Sequence, residues 1–191
     1  MTDFLVRIVH HGCVEETVGD GVWHLTADGR EKSTRIGEEW KNFAFTPSVI
    51  FSSPASCARE TALSVCGTNV HLIEIPELGF EEDPEWMSLA EACELLNPDM
   101  SLAKYIHARG LLPILHWAQI ARSGVLKRFR LRNFGSHEHV SVAIFTHPIF
   151  AQMLAAAFVT GTEYPSEEGL DESITIKASK DHDWCTVFLE K

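Results

Sequence analysis

Phe4-Leu5-Val6-Arg7-Ile8-Val9-His10-His11-Gly12 is an almost uninterrupted apolar run that stops at two histidines and a glycine. A run without strict polar and apolar alternation reads as a strand buried on both faces of a mostly parallel sheet. Ligands in such sheets lie beyond the carboxyl ends of the strands. His10 and His11 are therefore expected beside a pocket.

Outward from this stretch the same junction recurs. Ser48-Val49-Ile50-Phe51 reads as a second buried strand ending at Ser52-Ser53-Pro54, with Ser53 as the cap and Pro54 in the first turn of a helix that holds Cys57, Thr61 and Ala62 and stops near Gly67. His139 to Phe145 ends at Thr146-His147-Pro148 and leads into the apolar helix from Ile149 to about Val159. His147 falls at its N-cap and Pro148 at N1, beside free amide groups that attract anions. Between the first two strands, a polar glycine-containing loop runs to Gly21, and Thr26 caps an amphipathic helix through Ile36 to about Trp40. A third strand, Val70 to Ile75, leads to Pro76-Glu77-Leu78-Gly79 and an acidic loop of Glu81, Glu82 and Asp83. Pro84 to about Phe129 is patterned as two or three helices punctuated by Asn97-Pro98, Gly110, Pro113 and Gly124. Ser173 to Ala178 and Trp184 to Leu189, separated by polar Lys180, Asp181, His182 and Asp183, read as a terminal hairpin. This order implies a three-layer α/β/α sandwich with a mostly parallel central sheet and helices on both faces.

The chain has 191 residues, 45% of them apolar, and no linker, repeat or low-complexity segment divides it, so a single domain over 1–191 is expected. Segment 84–129 is then a helical insertion, either a lid over the cleft or a cover for the sheet. A net charge of −11 disfavours nucleic acid and anionic membranes as partners, because both repel an acidic protein. Arg122, Lys127, Arg128, Arg130 and Arg132 form a local exception, read either as a solvated face or as the place where an anionic ligand approaches. The five cysteines, Cys13, Cys57, Cys66, Cys93 and Cys185, are odd in number and scattered, which fits a reducing compartment and a cytoplasmic location. No secretory leader pattern opens the sequence. Val140 to Val159 nears membrane-spanning length but carries His147, Pro148 and Gln152, so a buried strand followed by a buried helix is expected.

Four elements, in order, resemble the histidine phosphatase superfamily, the phosphoglycerate mutase-like fold. Its first strand ends in Arg-His-Gly, a Leu-Thr-x-x-Gly element follows, the second strand ends in Ser-Ser-Pro-x-x-Arg-Ala-x-x-Thr-Ala, and a late strand ends in Ser/Thr-His-Gly. His10-His11-Gly12, Leu25-Thr26-Ala27-Asp28-Gly29, Ser52-Ser53-Pro54 through Thr61-Ala62, and Thr146-His147 look like these elements. The resemblance implies phosphomonoester hydrolysis through a phosphohistidine on His11, with His147 assisting and an acidic residue after the third strand protonating the leaving group. Glu77 is the first choice for that acid, ahead of Glu74, Glu81 and Glu82. A neutral imidazole is a competent nucleophile near neutral pH, and a second one at a helix start can donate to phosphate oxygens. Neither a cofactor nor a metal is expected for this chemistry. The partner is a phosphorylated small molecule or a phosphoprotein.

The sequence departs from the pattern where phosphate is gripped. The first arginine is His10, the second is Cys57, and the glycine after the late histidine is Pro148. Both arginines are forked, permanently charged donors, and losing one such donor costs on the order of 10² to 10³ in rate. Arg7, Arg59 and the basic Arg122 to Arg132 segment folding over the pocket are the candidate replacements, and Arg59, two residues past the second lost position, ranks above Arg7, which lies roughly 13 Å back along the strand. The expected phosphate-binding set is thus His10, Ser53, Cys57 and Arg59.

Three readings follow. One is a slow phosphohydrolase of altered specificity. Another is a catalytically inactive relative that binds a phosphorylated or acidic ligand or a protein partner in the same cleft. The third takes His10, His11, Cys57 and His147 as ligands for a zinc-like cation. His137 and His139 flank Glu138 without a third ligand nearby, Cys13 lacks a partnered base, and Trp23, Trp40, Trp86, Trp117 and Trp184 are read as packing residues.

Overall fold

The computed structural model describes residues 3–12, 14–16, 22–79, 112–130, 139–160, 173–177 and 184–190. Its strands are β1 (Asp3–His10), β2 (Val14–Glu16), β3 (Trp23–Leu25), β4 (Val49–Ser52), β5 (Leu72–Glu74), β6 (His139–Thr146), β7 (Ser173–Lys177) and β8 (Trp184–Glu190). Among the described residues four helices accompany them: α1 (Ala27–Asn42), α2 (Ser56–Cys66), α3 (Leu112–Arg130) and α4 (Pro148–Thr160), with a 3-10 turn at Pro76–Leu78.

Six strands form one sheet in the order β5-β4-β6-β1-β8-β7. The first four are mutually parallel, and the terminal hairpin adds β8 and β7 antiparallel beside β1. The side chains of β1 divide by the two-residue period of a strand. Val6 and Ile8 enter a core with Trp117, Ala121 and Val125 of α3 and with Phe150, Leu154 and Phe158 of α4. Val9 enters the opposite core with Ile36 and Trp40 of α1, Ala62 and Val65 of α2, and Phe45. Two buried faces explain why the run does not alternate in polarity. The three-layer sandwich expected above is the architecture observed.

Thr26 caps α1 as expected, its hydroxyl accepting from the Gly29 amide at 3.0 Å. Residues 140–159 are a strand followed by a helix, and no described helix is long and apolar enough to cross a membrane.

Three local expectations are corrected. The loop after Gly12 contains β2, which pairs with β3 in a two-stranded antiparallel ribbon, Val14 opposite Leu25. Three-residue strands are too short to show periodicity, and their pairing supplies the order. Ser53 is not the cap of α2: the helix starts at Ser56 with Ala55 at its N-cap, and the Ser53 hydroxyl instead accepts from the Ala55 amide at 3.3 Å. Pro113 and Gly124 do not divide α3 either. Pro113 lies in the first turn, where no preceding carbonyl awaits its missing N–H. Gly124 packs against Glu77, whose side-chain atoms would lie 3.0 to 3.2 Å from an added Cβ. Segment 84–111, with any lid it forms and with Trp86 and Cys93, lies outside the described residues, as do Cys13, Glu81, Glu82, Asp83, Arg132, His137, Glu138 and the hairpin turn 180–183.

Glu60 ties the ribbon to both helices of its face. One carboxylate oxygen accepts from His24 Nδ1, and the other from the Leu25 amide at 3.1 Å and from Arg30 at 3.2 Å. Glu60→Ala leaves these donors without their shared acceptor, so a stability loss of about 1–3 kcal/mol is expected in urea unfolding. A midpoint equal to the wild type would show that the ribbon is held by pairing alone.

Candidate functional site

Parallel register brings three strand ends level. His10 of β1 lies opposite Thr146 of β6, and Phe145 of β6 opposite Ser52 of β4. The pairing continues one residue past the strands: the His11 amide donates to the Thr146 carbonyl at 3.0 Å, and the Ser53 amide to the Phe145 carbonyl at 2.9 Å. His11, Ser53 and His147 therefore emerge side by side at the carboxyl edge of the sheet. The Ala151 amide donates to the His147 carbonyl at 2.8 Å, so His147 is the residue from which α4 starts, as expected.

Gly12 lets His11 sit this deep. A Cβ at Gly12 would come within 2.8 Å of the Gly29 Cα and 2.9 Å of the Gly29 carbonyl oxygen. The glycine after the first histidine and the glycine of the Leu-Thr-x-x-Gly element thus touch, backbone to backbone. That contact seats the strand end on the first turn of α1, whose start Thr26 fixes.

The two imidazoles are 5% and 4% exposed and meet edge to face, with centroids 5.1 Å apart and planes at 83°. Phe150 also meets His147 edge to face, with centroids 5.9 Å apart. His11 Nδ1 lies 2.9 Å from the Gly12 carbonyl oxygen. A carbonyl only accepts, so the proton is on Nδ1 and the neutral ring presents its lone pair at Nε2. Nε2 is buried and has no hydrogen-bond partner among the described residues. Burial pushes His11 down to about 4, with neighbouring His10 adding in the same direction against the bond to Gly12, and burial followed by His11 holds His147 well below the ordinary histidine range. Both rings are neutral at neutral pH.

Ser53 and Cys57 complete the cluster. Ser53 Oγ lies 3.3 Å from His147 Nε2. Cys57, in the first turn of α2, is 2% exposed, and its sulfur and one ring nitrogen each of His11 and His147 lie within 4.8 Å of one another. His10 is not in this group, and its Nδ1 donates to the His11 carbonyl at 2.9 Å.

The arginines named as replacements are engaged elsewhere. Arg59 is exposed and pairs with Glu74 at 3.1 Å, which also occupies the competing acid Glu74. Arg7 stacks its guanidinium 4.1 Å above the Phe45 ring, with Trp40 at 5.4 Å and Phe43 at 5.9 Å. Glu77 sits in the 3-10 turn, which Thr146 holds to the end of β6 by donating to the Leu78 carbonyl at 2.9 Å. One Glu77 oxygen accepts from Arg128 at 3.1 Å, and the other is buried with no hydrogen-bond partner among the described residues. Arg128 is the residue that sequence reasoning placed too loosely. It lies one turn after Gly124 on the α3 face packed against Glu77, a spacing the basic run contains but does not single out.

No family model matches the chain, and no curated protein sequence matches it. Solved structures do match. A mycobacterial glucosyl-3-phosphoglycerate phosphatase is 16% identical, with 83% of this chain and 80% of that one covered and a TM-score of 0.54. A phosphoglycerate mutase from Bacillus anthracis is 14% identical over 84% of this chain and 82% of its own, with a TM-score of 0.51. The fold is phosphoglycerate mutase-like. Within this fold, structures of the same mycobacterial phosphatase have also been solved with inorganic phosphate and with VO3, at TM-scores of 0.52 and 0.53 to this chain.

Because the folded-state value of His11 lies below the unfolded one, acid favours the unfolded chain. Its contribution to stability is intact above about pH 6.5 and is lost as the pH falls toward about 4, by up to about 3 kcal/mol. Urea midpoints of the wild type are expected to fall over this window more steeply than those of His11→Gln. Equal slopes for the two proteins would show that His11 titrates normally.

Proposed function

We propose that the chain is a phosphomonoester hydrolase that works through a phosphohistidine on His11. The observation that carries this reading is the state of the His11 ring: Nδ1 holds its proton against the Gly12 carbonyl, Nε2 is neutral and without a hydrogen-bond partner among the described residues, and the ring packs edge to face with a second imidazole at a helix start. In the first half-reaction the Nε2 lone pair forms a bond to phosphorus as the ester P–O bond breaks, and a carboxylic acid gives its proton to the departing alkoxide. Glu77 is the proposed acid. In the second, a water gives a proton back to that carboxylate as its oxygen bonds to phosphorus and the N–P bond breaks, returning inorganic phosphate, neutral His11 and the protonated acid. Ser53, His147 and the amides at the start of α4 stabilise the phosphoryl oxygens.

The substrate is a phosphorylated small molecule or a phosphoprotein, and turnover is slow. Cys57 and His10 supply no fixed charge in place of the two arginines, and the pairings of Arg7 and Arg59 favour a second reading, an inactive relative that retains a phosphorylated or acidic ligand or a protein partner.

A panel of phosphomonoesters, assayed with the wild type and His11→Ala side by side, separates the two. Turnover that vanishes in the variant, together with an acid-labile protein phosphate seen only in the wild type, is the expected result. Glu77→Gln is expected to lower kcat by about 10² to 10⁴ for alkyl phosphates and much less for p-nitrophenyl phosphate, whose leaving group needs no proton. Turnover no greater than that of His11→Ala with every ester would sink the hydrolase reading and leave the inactive binder.

A further inference from the structure

We propose that His11, Cys57 and His147 form a binding site for a soft divalent cation of the zinc class. Two imidazoles and a thiol are borderline-soft donors suited to zinc, and three protein ligands leave a fourth position open to water or an oxyanion. Their donor atoms already lie within 4.8 Å of one another. Tetrahedral bonds of about 2.0 to 2.3 Å place ligand atoms about 3.3 to 3.7 Å apart, so each donor has to move inward by less than about 1 Å.

The surroundings favour the same assignment. All three residues are at least nine-tenths buried, and His11 Nε2, the nitrogen left free by the Nδ1 contact, is buried with no hydrogen-bond partner among the described residues. A buried acceptor left without a donor is costly, and a cation satisfies it. The Nδ1 contact of His11 with the Gly12 carbonyl is the outer support that metal-bound histidines ordinarily have, fixing ring and tautomer. The Thr61 hydroxyl, bonded to the Cys57 carbonyl at 2.8 Å, steadies the turn that presents the sulfur. Among the described residues no carboxylate belongs to the group, a donor set that suits zinc-like cations rather than hard cations such as magnesium and calcium. His10, expected among the ligands from sequence, is turned to the His11 carbonyl instead.

Cys57 binds as thiolate, its proton passing to solvent, and the site then carries one net positive charge. The cation takes the nitrogen that would carry a phosphoryl group, so the two states exclude each other. The site therefore stands whether or not the chain hydrolyses phosphate esters.

The test is titration of the metal-free full chain with Co²⁺. One equivalent is expected to give a near-ultraviolet thiolate-to-cobalt charge-transfer band and the intense visible bands of a four-coordinate ion, both displaced by Zn²⁺. Cys57→Ser is expected to lose the charge-transfer band, while Cys13→Ser and Cys66→Ser keep it. His147→Gln is expected to keep the band but to bind at least about a hundredfold more weakly, since even outer partners of a metal are worth about ten- to a hundredfold. Circular dichroism of each variant reports whether it folds, and if Cys57→Ser does not, His147→Gln decides. No thiolate band, a band that survives in Cys57→Ser, unweakened binding in His147→Gln, or a weak six-coordinate spectrum would each overturn the site. None of these readouts depends on turnover, so the cation site and the hydrolase reading fail separately.

Discussion

Everything at the candidate site depends on the parallel pairing of β1, β6 and β4. Had the β1 register slipped by one residue, Val6 and Ile8 would exchange faces with Arg7 and Val9, and a guanidinium would enter the core under α3 and α4. The two apolar cores therefore lock the register, and the register places His11 beside His147 and Ser53. A site assembled from residues far apart in sequence becomes a by-product of burying aliphatic side chains on two faces.

The electrostatics of the pocket follow from its depth. Desolvation is the largest cause of the lowered affinity of both rings for protons. An imidazole kept neutral in this way offers a lone pair at any physiological pH, which suits attack on phosphorus and suits a metal equally. A dianionic ester, by contrast, needs positive charge. Arg7 is held among Trp40, Phe43 and Phe45, and Arg128 by Glu77, so the described cations nearest in sequence logic serve packing and carboxylate partners.

The parts of this arrangement that were legible in sequence are those carried by long apolar runs and by end signals. β1, β4 and β6 with their terminal His11, Ser52-Ser53 and His147, the Thr26 cap and the Pro148 start of α4 could all be read, because burial on two faces and capping chemistry leave local marks. The ribbon of β2 and β3 was hidden, since its three-residue strands hold together through pairing and through Glu60, 35 residues from Leu25. The continuity of α3 through Gly124 was hidden for a related reason: the glycine answers a neighbour, Glu77, that no local pattern reveals. Cys57 was visible as a departure from a motif, but only the fold shows that it points with His11 and His147 rather than merely filling space.

The thiol at the start of α2 sets the character of the cluster. Cys57 is 2% exposed and keeps its sulfur close to the helix, within 4.8 Å of a ring nitrogen of each histidine, where a guanidinium would extend several bonds beyond the backbone. The two imidazoles beside it meet edge to face. Burial and the absence of a long cation at this position act on the site together. The depth strengthens every dipole in the site, because less water competes for it, while the missing charge leaves those dipoles without a fixed counter-ion for a phosphate. A cluster with these properties is better matched to a small cation than to a dianion, and the turn carrying Glu77, tied by Thr146 to the same strand end and by Arg128 to α3, reaches it at Gly79, where an added Cβ would lie 3.1 Å from Ser53 Oγ.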